Sequence, residues 1–415
     1  MTAYAGLDVG TTSSKAVVYD AEGRVLGTGR AATTWETTAH GTEMSAEALC
    51  RSAVDALSAA AVDAGVEVRA VGVTCMGESG VLVDGRERPL APVIAWHDDR
   101  DGDEVADLAA TVGPEAFGGI AGKPLRGQFS LTKHRWLLRH APDTHGATTR
   151  FDVGGWVVRR LGGDAVLELS LAGRTGWLDV ATRDWWDEAL DWSGARRELM
   201  PPLVAAGVPV GVVSSDAVSP LLHGAVLTLA GHDHQASALG ARATGQGHEL
   251  DSSGTAEALV RTITPVPPPA DVARLARAGI TTDPSVERGH WSLLGGTEGG
   301  LAQLRALERL GASVAELDAA AAAGRSPGAE WRTVVETAAD EALALHRAMD
   351  EVVGPAARVV VTGGWRHSAE VMRAKVARFG PLEVSGVEEA GTLGAATLAA
   401  RACGELGVDD YLGAP

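Results

Sequence analysis

Two distant stretches of this chain read alike: GLDVGTTSSK, Gly6 to Lys15, and HELDSSGTAEALVRTIT, from His248. In each, an apolar strand runs into an acid, then into a turn rich in glycine and hydroxyl residues, and resumes as a second strand. An acid weakens a buried strand, and such a turn is a poor spacer if only a hairpin is needed. The repeated pattern therefore points to something bound over the turn, and to duplication of one nucleotide-binding unit. Successive N–H groups of a Gly-Thr-Thr turn form a concave anion site, with the hydroxyls of Thr11, Thr12 and Ser13 as further donors.

Around the first stretch, AYAGLDVG, SKAVVYD and RVLGTGRAAT read as an antiparallel meander. A capped helix follows from Ser45, and VRAVGVTCM returns as a buried strand. Three strands, a helix and a buried strand make a ribonuclease-H-like unit. Helical segments are expected near 101–112, 130–140 and 184–199, and AVLTLAGHD reads as a strand ending at Asp233. From about residue 297 the chain is mostly helical, broken by VVVTGGWRHS, a strand running into Gly363-Gly364. The predicted fold class is α/β, with two ribonuclease-H-like domains. The expected division is 1–241 and 242–415.

Charge narrows the function. With 36 basic against 54 acidic residues, a formal net charge of -18, the chain is a poor binder of phosphate backbones, so no nucleic-acid partner is expected. No stretch approaches the roughly 20 apolar residues of a membrane span, and the first strand leaves no room for a signal peptide. No membrane partner and a cytoplasmic location are expected. The three cysteines are scattered, without zinc or disulfide spacing. A P-loop is absent, because Gly122-Lys123 is followed by Pro124, and no GxGxxG follows a strand.

DVGTTSSK, DSSGTAEAL and VVVTGGWRHS resemble the two phosphate loops and the adenosine loop of the actin, Hsp70 and sugar-kinase superfamily. GHDHQASALG at 231–240 and VIAWHDDR at 93–100 are similar to segments of the FGGY carbohydrate kinases, which phosphorylate ketoses and polyols. The resemblance implies two actin-like ATPase domains enclosing a cleft, 1–241 binding the sugar and 242–415 the ATP, with ATP and Mg²⁺ as cofactors, a small sugar or polyol as substrate, and a homodimer possible. It places Gly10, Thr11, Thr12, Ser13, Gly254, Thr255, Gly363 and Gly364 on the nucleotide, and Asp8 on the metal through water. Asp233 falls at the catalytic-base position, and Gly77, Glu78, Trp96, His234 and Gln235 on the acceptor side.

Several residues have a second reading. Asp233 could cap the helix that follows it, and the HDH triplet at 232–234 has the look of a partial zinc site. Trp96 could be a core aromatic, Asp98 and Arg100 a structural ion pair, and Lys15 a solvated hairpin lysine. Trp365 could lie on a purine or pack internally. Two departures stand out: Gly77 lacks the arginine that precedes the glutamate in glycerol kinases, and Glu168 to Ala172 stands where relatives often carry Asp-x-Ser-Asn-Ala. Two rival functions are a nucleotide-dependent scaffold like actin or Hsp70, and a silent sugar binder that kept the fold.

Overall fold

The computed structural model describes residues 2–413. The strands Ala3–Val9, Ser13–Asp20 and Val25–Ala32 form the antiparallel meander. Ala70–Cys75 then pairs in parallel with the first strand, and Val226–His232 in parallel with Ala70–Cys75. Numbered by chain order these five strands stand 3-2-1-4-5, with Pro209–Val212 added at one edge. Ala70–Cys75 is buried at all six positions, as a central parallel strand covered on both faces should be. The helix Ala46–Ala64 starts at Ser45, whose hydroxyl accepts from the Ala48 N–H, and stops at Gly65 in the left-handed region.

The second unit repeats the plan. His248–Ser253 and Glu257–Ile263 form its hairpin, and Trp291–Thr297 lies beyond as third strand. Arg358–Thr362 and Glu383–Val384 follow in parallel on the other side. The order is again 3-2-1-4-5, here with Thr281–Pro284 added at the edge. Asp8 pairs with Lys15 across the first hairpin and Asp251 with Leu259 across the second. The two acids thus sit at matching places before matching turns.

The helices Gly102–Thr111 and Ser130–His140 form close to where the sequence predicts them. The 184–199 segment does not form one helix. Asp184–Trp185 pairs with Leu178–Asp179, a short helix spans Asp187–Ser193, and Arg197–Leu199 is one 3₁₀ turn. Burial of Trp185 beside Trp177 outweighs helix propensity here.

The strands of the two sheets divide near residue 241, but the last helix does not follow that boundary. Ala390–Ala402 returns to pack on the first sheet. It comes so close that a Cβ on Gly6 would lie 1.8 Å from the Thr392 carbonyl oxygen, and one on Gly72 2.0 Å from that of Ala395. Only glycine fits under it. On the far side of the cleft the helices Pro114–Ala121 and Pro269–Arg277 pack together, and the Thr282 N–H donates to the Gly122 carbonyl (2.8 Å).

Candidate active site

The strand that ends at His232 delivers Asp233 into the cleft as the first residue of the helix Asp233–Gly240. Its side chain does not cap that helix; Oδ1 accepts only from the adjacent His234 N–H (2.6 Å) and lies 3.3 Å from His232 Nε2. Oδ2 is left free, and the side chain is 27% exposed. Burial, then the charge of Glu78, pushes the Asp233 carboxyl up to about 7. Asp8, across the floor of the cleft, is also raised to about 7, by burial first and then by the Asp233 charge. Two carboxylates that oppose each other's ionisation are the arrangement expected of acid–base or cation-holding chemistry.

What holds Asp233 in place comes from a segment the sequence marks as a departure. Glu168 Oε2 accepts from the Ser170 and Leu171 N–H groups and from the Ser170 hydroxyl, and Ser170 Oγ accepts in turn from the His232 N–H (3.0 Å). This buried chain fixes the peptide before the acid. His232 and His234 are both kept neutral, chiefly by burial and then by the charge of Arg174. Among the described residues no group of three or more His, Cys, Asp or Glu side chains is arranged to hold a metal ion.

Of the residues expected on the acceptor side, Gly77 and Glu78 are organised around Arg174. Gly77 leaves a space that the Arg174 stem fills: a Cβ on residue 77 would meet Arg174 Cγ at 3.0 Å. The guanidinium then grips Glu78, with Nε at 2.9 Å from Oε1 and Nη2 on the same oxygen. The cation that the sequence lacks at 77 therefore arrives from 174. Gln128 Nε2 adds a third bond to Oε1 (2.9 Å), and Glu78 Oε2 remains without a protein partner. Glu78 sits at φ 65, a strained conformation for a residue with a side chain. Arg174 also reaches across to Asp283 of the second unit (3.1 Å), which pairs with Lys123 (2.7 Å).

Trp96 faces the first turn, its indole N–H donating to Thr11 Oγ1 (2.9 Å), while Trp35 donates to the Thr11 carbonyl (2.7 Å). One expected contact is corrected. Gln235 is buried, and its amide is spent on the Pro284 carbonyl (3.2 Å) and the Val286 N–H (3.0 Å), which turns it from the cleft. Ser13 begins the second strand, and its Oγ accepts from Arg30 Nε (3.1 Å), which leaves its own O–H as a donor. Gly10, Thr11 and Thr12 keep the turn itself, with Thr12 exposed at its tip. Lys15 pairs with Glu389 (3.1 Å), and Asp98 with Arg100 (2.7 Å).

In the second unit, Gly254 and Thr255 form the turn between the hairpin strands. Gly363, at φ 86, lies against it, where a Cβ would fall 2.2 Å from the Ser253 carbonyl oxygen. The two loops therefore meet, with Gly364 facing open space. Trp365 packs on Trp331 (ring centroids 6.0 Å apart). Under the turn, Lys375 bridges the buried acids Asp251 and Glu257, a contact that no local pattern in the sequence signals.

Mg²⁺ takes hard oxygen ligands and usually only one or two carboxylates, the rest being water and phosphate. Asp8 fits this, since its Oδ1 is buried and lacks any hydrogen-bond partner. The same strain makes a prediction. Because the folded carboxyl titrates near 7 and the unfolded one near 3.8, folding takes up a proton between these values. The stabilisation is complete below about 4 and is lost as pH rises to about 7. Asp8→Asn should therefore melt several degrees above the unmodified protein at pH 8 in chelator, and with it at pH 4. A lower melting temperature at pH 8 would show that Asp8 is not destabilised by burial.

Comparison with known proteins agrees with this architecture. Residues 3–240 match the N-terminal domain of the FGGY family of carbohydrate kinases. L-fuculokinase of Salmonella typhi is 30% identical over 267 residues, covering 61% of this chain and 55% of its own length. A glycerol kinase of Nocardia farcinica is 27% identical over 276 residues, 60% of this chain and 52% of its own. The chain thus spans about half the length of the curated relatives it matches. The whole fold superposes on xylulose kinase from Rhodospirillum rubrum with a TM-score of 0.87 at 24% identity, covering 99% of this chain and 92% of that one. No helix among the described residues is long and apolar enough to cross a membrane. With two actin-like ATPase domains around a cleft and a match over more than half its length, the chain belongs to the FGGY family of carbohydrate kinases.

Proposed function

We propose that this protein transfers the γ-phosphoryl group of ATP to a hydroxyl of a small sugar or polyol. The observation that carries the reading is the pair Asp8 and Asp233, both raised to about 7, on the floor between two glycine-turn loops. Asp233 Oδ2, free of protein partners, takes the proton of the acceptor hydroxyl. The acceptor oxygen bonds to the γ-phosphorus as the bond to the bridging oxygen breaks and ADP leaves. Asp8 would hold Mg²⁺ with the nucleotide, and the ion would supply positive charge to offset that of the transferring group. The turn Gly10–Thr12 and the joined loops at Gly254–Thr255 and Gly363–Gly364 receive phosphates and nucleoside, and Glu78 Oε2 and His234 face the acceptor. The resemblance of the fold to Plasmodium falciparum glycerol kinase, solved with ADP (TM-score 0.86), supports the nucleotide side.

The test is ADP release from Mg-ATP with ketopentoses, ketohexoses, heptuloses and polyols. One acceptor should raise turnover well above the hydrolysis seen without it, because the acceptor completes the closed site. Equal release with and without every acceptor, joined to nucleotide-dependent polymerisation or client binding, would favour a scaffold.

A further inference from the structure

A small cavity of about 30 Å³ lies behind Glu78, lined among others by Ser130, Lys133, His134 and Arg150. The proposed reaction uses none of these four. Arg150 is buried, at 4% exposure, yet no carboxylate among the described residues pairs with it. Its Nη2 bonds Ser130 Oγ (2.7 Å) and the Glu78 carbonyl (3.4 Å), and its Nη1 has no partner. Trp177 lies under the guanidinium, 5.0 Å from its centre, which offsets only part of the lost hydration. Burial holds the Arg150 pKa down to about 10, so it remains a cation at neutral pH.

The other lining groups do not neutralise it. Lys133 is a second cation, bonded to the Asp98 and Gly127 carbonyls and 3.5 Å from Asp101. The Glu78 carboxylate also lines this region, but its charge is met by Arg174. Asp152 attracts Arg150 by charge without bonding to it; its Oδ1 accepts from the Gly155 N–H (2.6 Å), and its buried Oδ2 has no partner among the described residues. His134 is neutral, and its Nδ1 is likewise buried without a partner. A buried guanidinium N–H and a buried imidazole nitrogen left without a bonded partner are costly, and a cavity of this size holds one water-sized occupant.

We propose that this cavity is a binding site for a small monovalent anion of halide size, which supplies the acceptor that Arg150 Nη1 lacks. Because Arg150 Nη2 and Ser130 Oγ both bond to the Glu78 carbonyl, the ion is tied to the strained segment that carries Glu78. The proposal does not depend on the reaction assigned above.

Bromide serves as the probe. Crystals of the full chain grown in potassium bromide should show an anomalous peak in this cavity. Replacing potassium glutamate by potassium bromide at equal ionic strength should raise the melting temperature by several degrees. Arg150→Met, which keeps the stem and removes the charge, should abolish that salt-specific rise. Density for water only, without an anomalous peak, would overturn the proposal. So would an undiminished bromide effect in Arg150→Met. Should that variant fail to fold, the anomalous map on the unmodified protein decides alone.

Discussion

Asp233→Asn is expected to lower acceptor-dependent ADP release about 10²- to 10⁴-fold, the usual contribution of a positioned general base. The amide retains the size of the carboxylate, and its oxygen can still accept from the His234 N–H. It cannot take the acceptor's proton. Binding should therefore outlast catalysis, with calorimetric titration of sugar and nucleotide showing affinities within a few-fold of the parent. Part of the rate loss reflects orientation rather than proton removal, because a loose phosphoryl-transfer transition state puts little charge on the attacking oxygen until late. Asp233 makes no capping bond, so the helix itself should be unaffected. A variant with near-parental turnover would remove Asp233 from the base position. Acceptor-dependent turnover of the parent should also rise with pH and level off above about 7, as the pair on the cleft floor loses its shared proton.

Arg174→Met should cost about 3–5 kcal/mol of stability, the range for removing one partner of a buried ion pair. Arg174 is 2% exposed and touches Glu78, Asp283 and Thr281, so its loss leaves two acids short of charge. Lys123 still meets Asp283, which places most of the damage at Glu78. Denaturant unfolding measures the cost, and acceptor KM should rise while KM for ATP changes little, since among the described residues Arg174 makes no hydrogen bond to the turn at 254–255. The triple variant Arg174→Met, Glu78→Gln, Asp283→Asn should recover much of the stability, because it removes the stranded charges, yet not the acceptor affinity. A single variant as stable as the parent would show that the network is screened by water rather than buried.

The parts of this molecule legible in its sequence are those governed by short-range pattern. The acid-then-glycine turns at 8–12 and 251–255, the all-apolar strand Ala70–Cys75 and the Ser45 cap each follow from a few adjacent residues. Arg174 does not, because its partner Glu78 is 96 residues away and nothing around either residue signals the other. The same holds for Lys375, whose acids lie 124 and 118 residues earlier. Gln235 misleads for the opposite reason. It stands two residues from a well-placed acid, but a helix turns its side chain about 200° from that of the acid, into the second unit's backbone. The sequence marks Trp96 and Thr11 separately, but no local pattern signals the hydrogen bond that joins them.

The return of the last helix to the first sheet has a consequence for biosynthesis. During translation the first six strands can pair as soon as they are made, but the face bearing Gly6 and Gly72 stays uncovered until Ala390–Ala402 has left the ribosome. Vectorial folding of the first domain thus stalls on its own final piece, while the second domain, encoded in between, can close ahead of it. Nascent chains arrested short of residue 390 should expose that face to chaperones and proteases, and release of the full chain should bury it in a single late step.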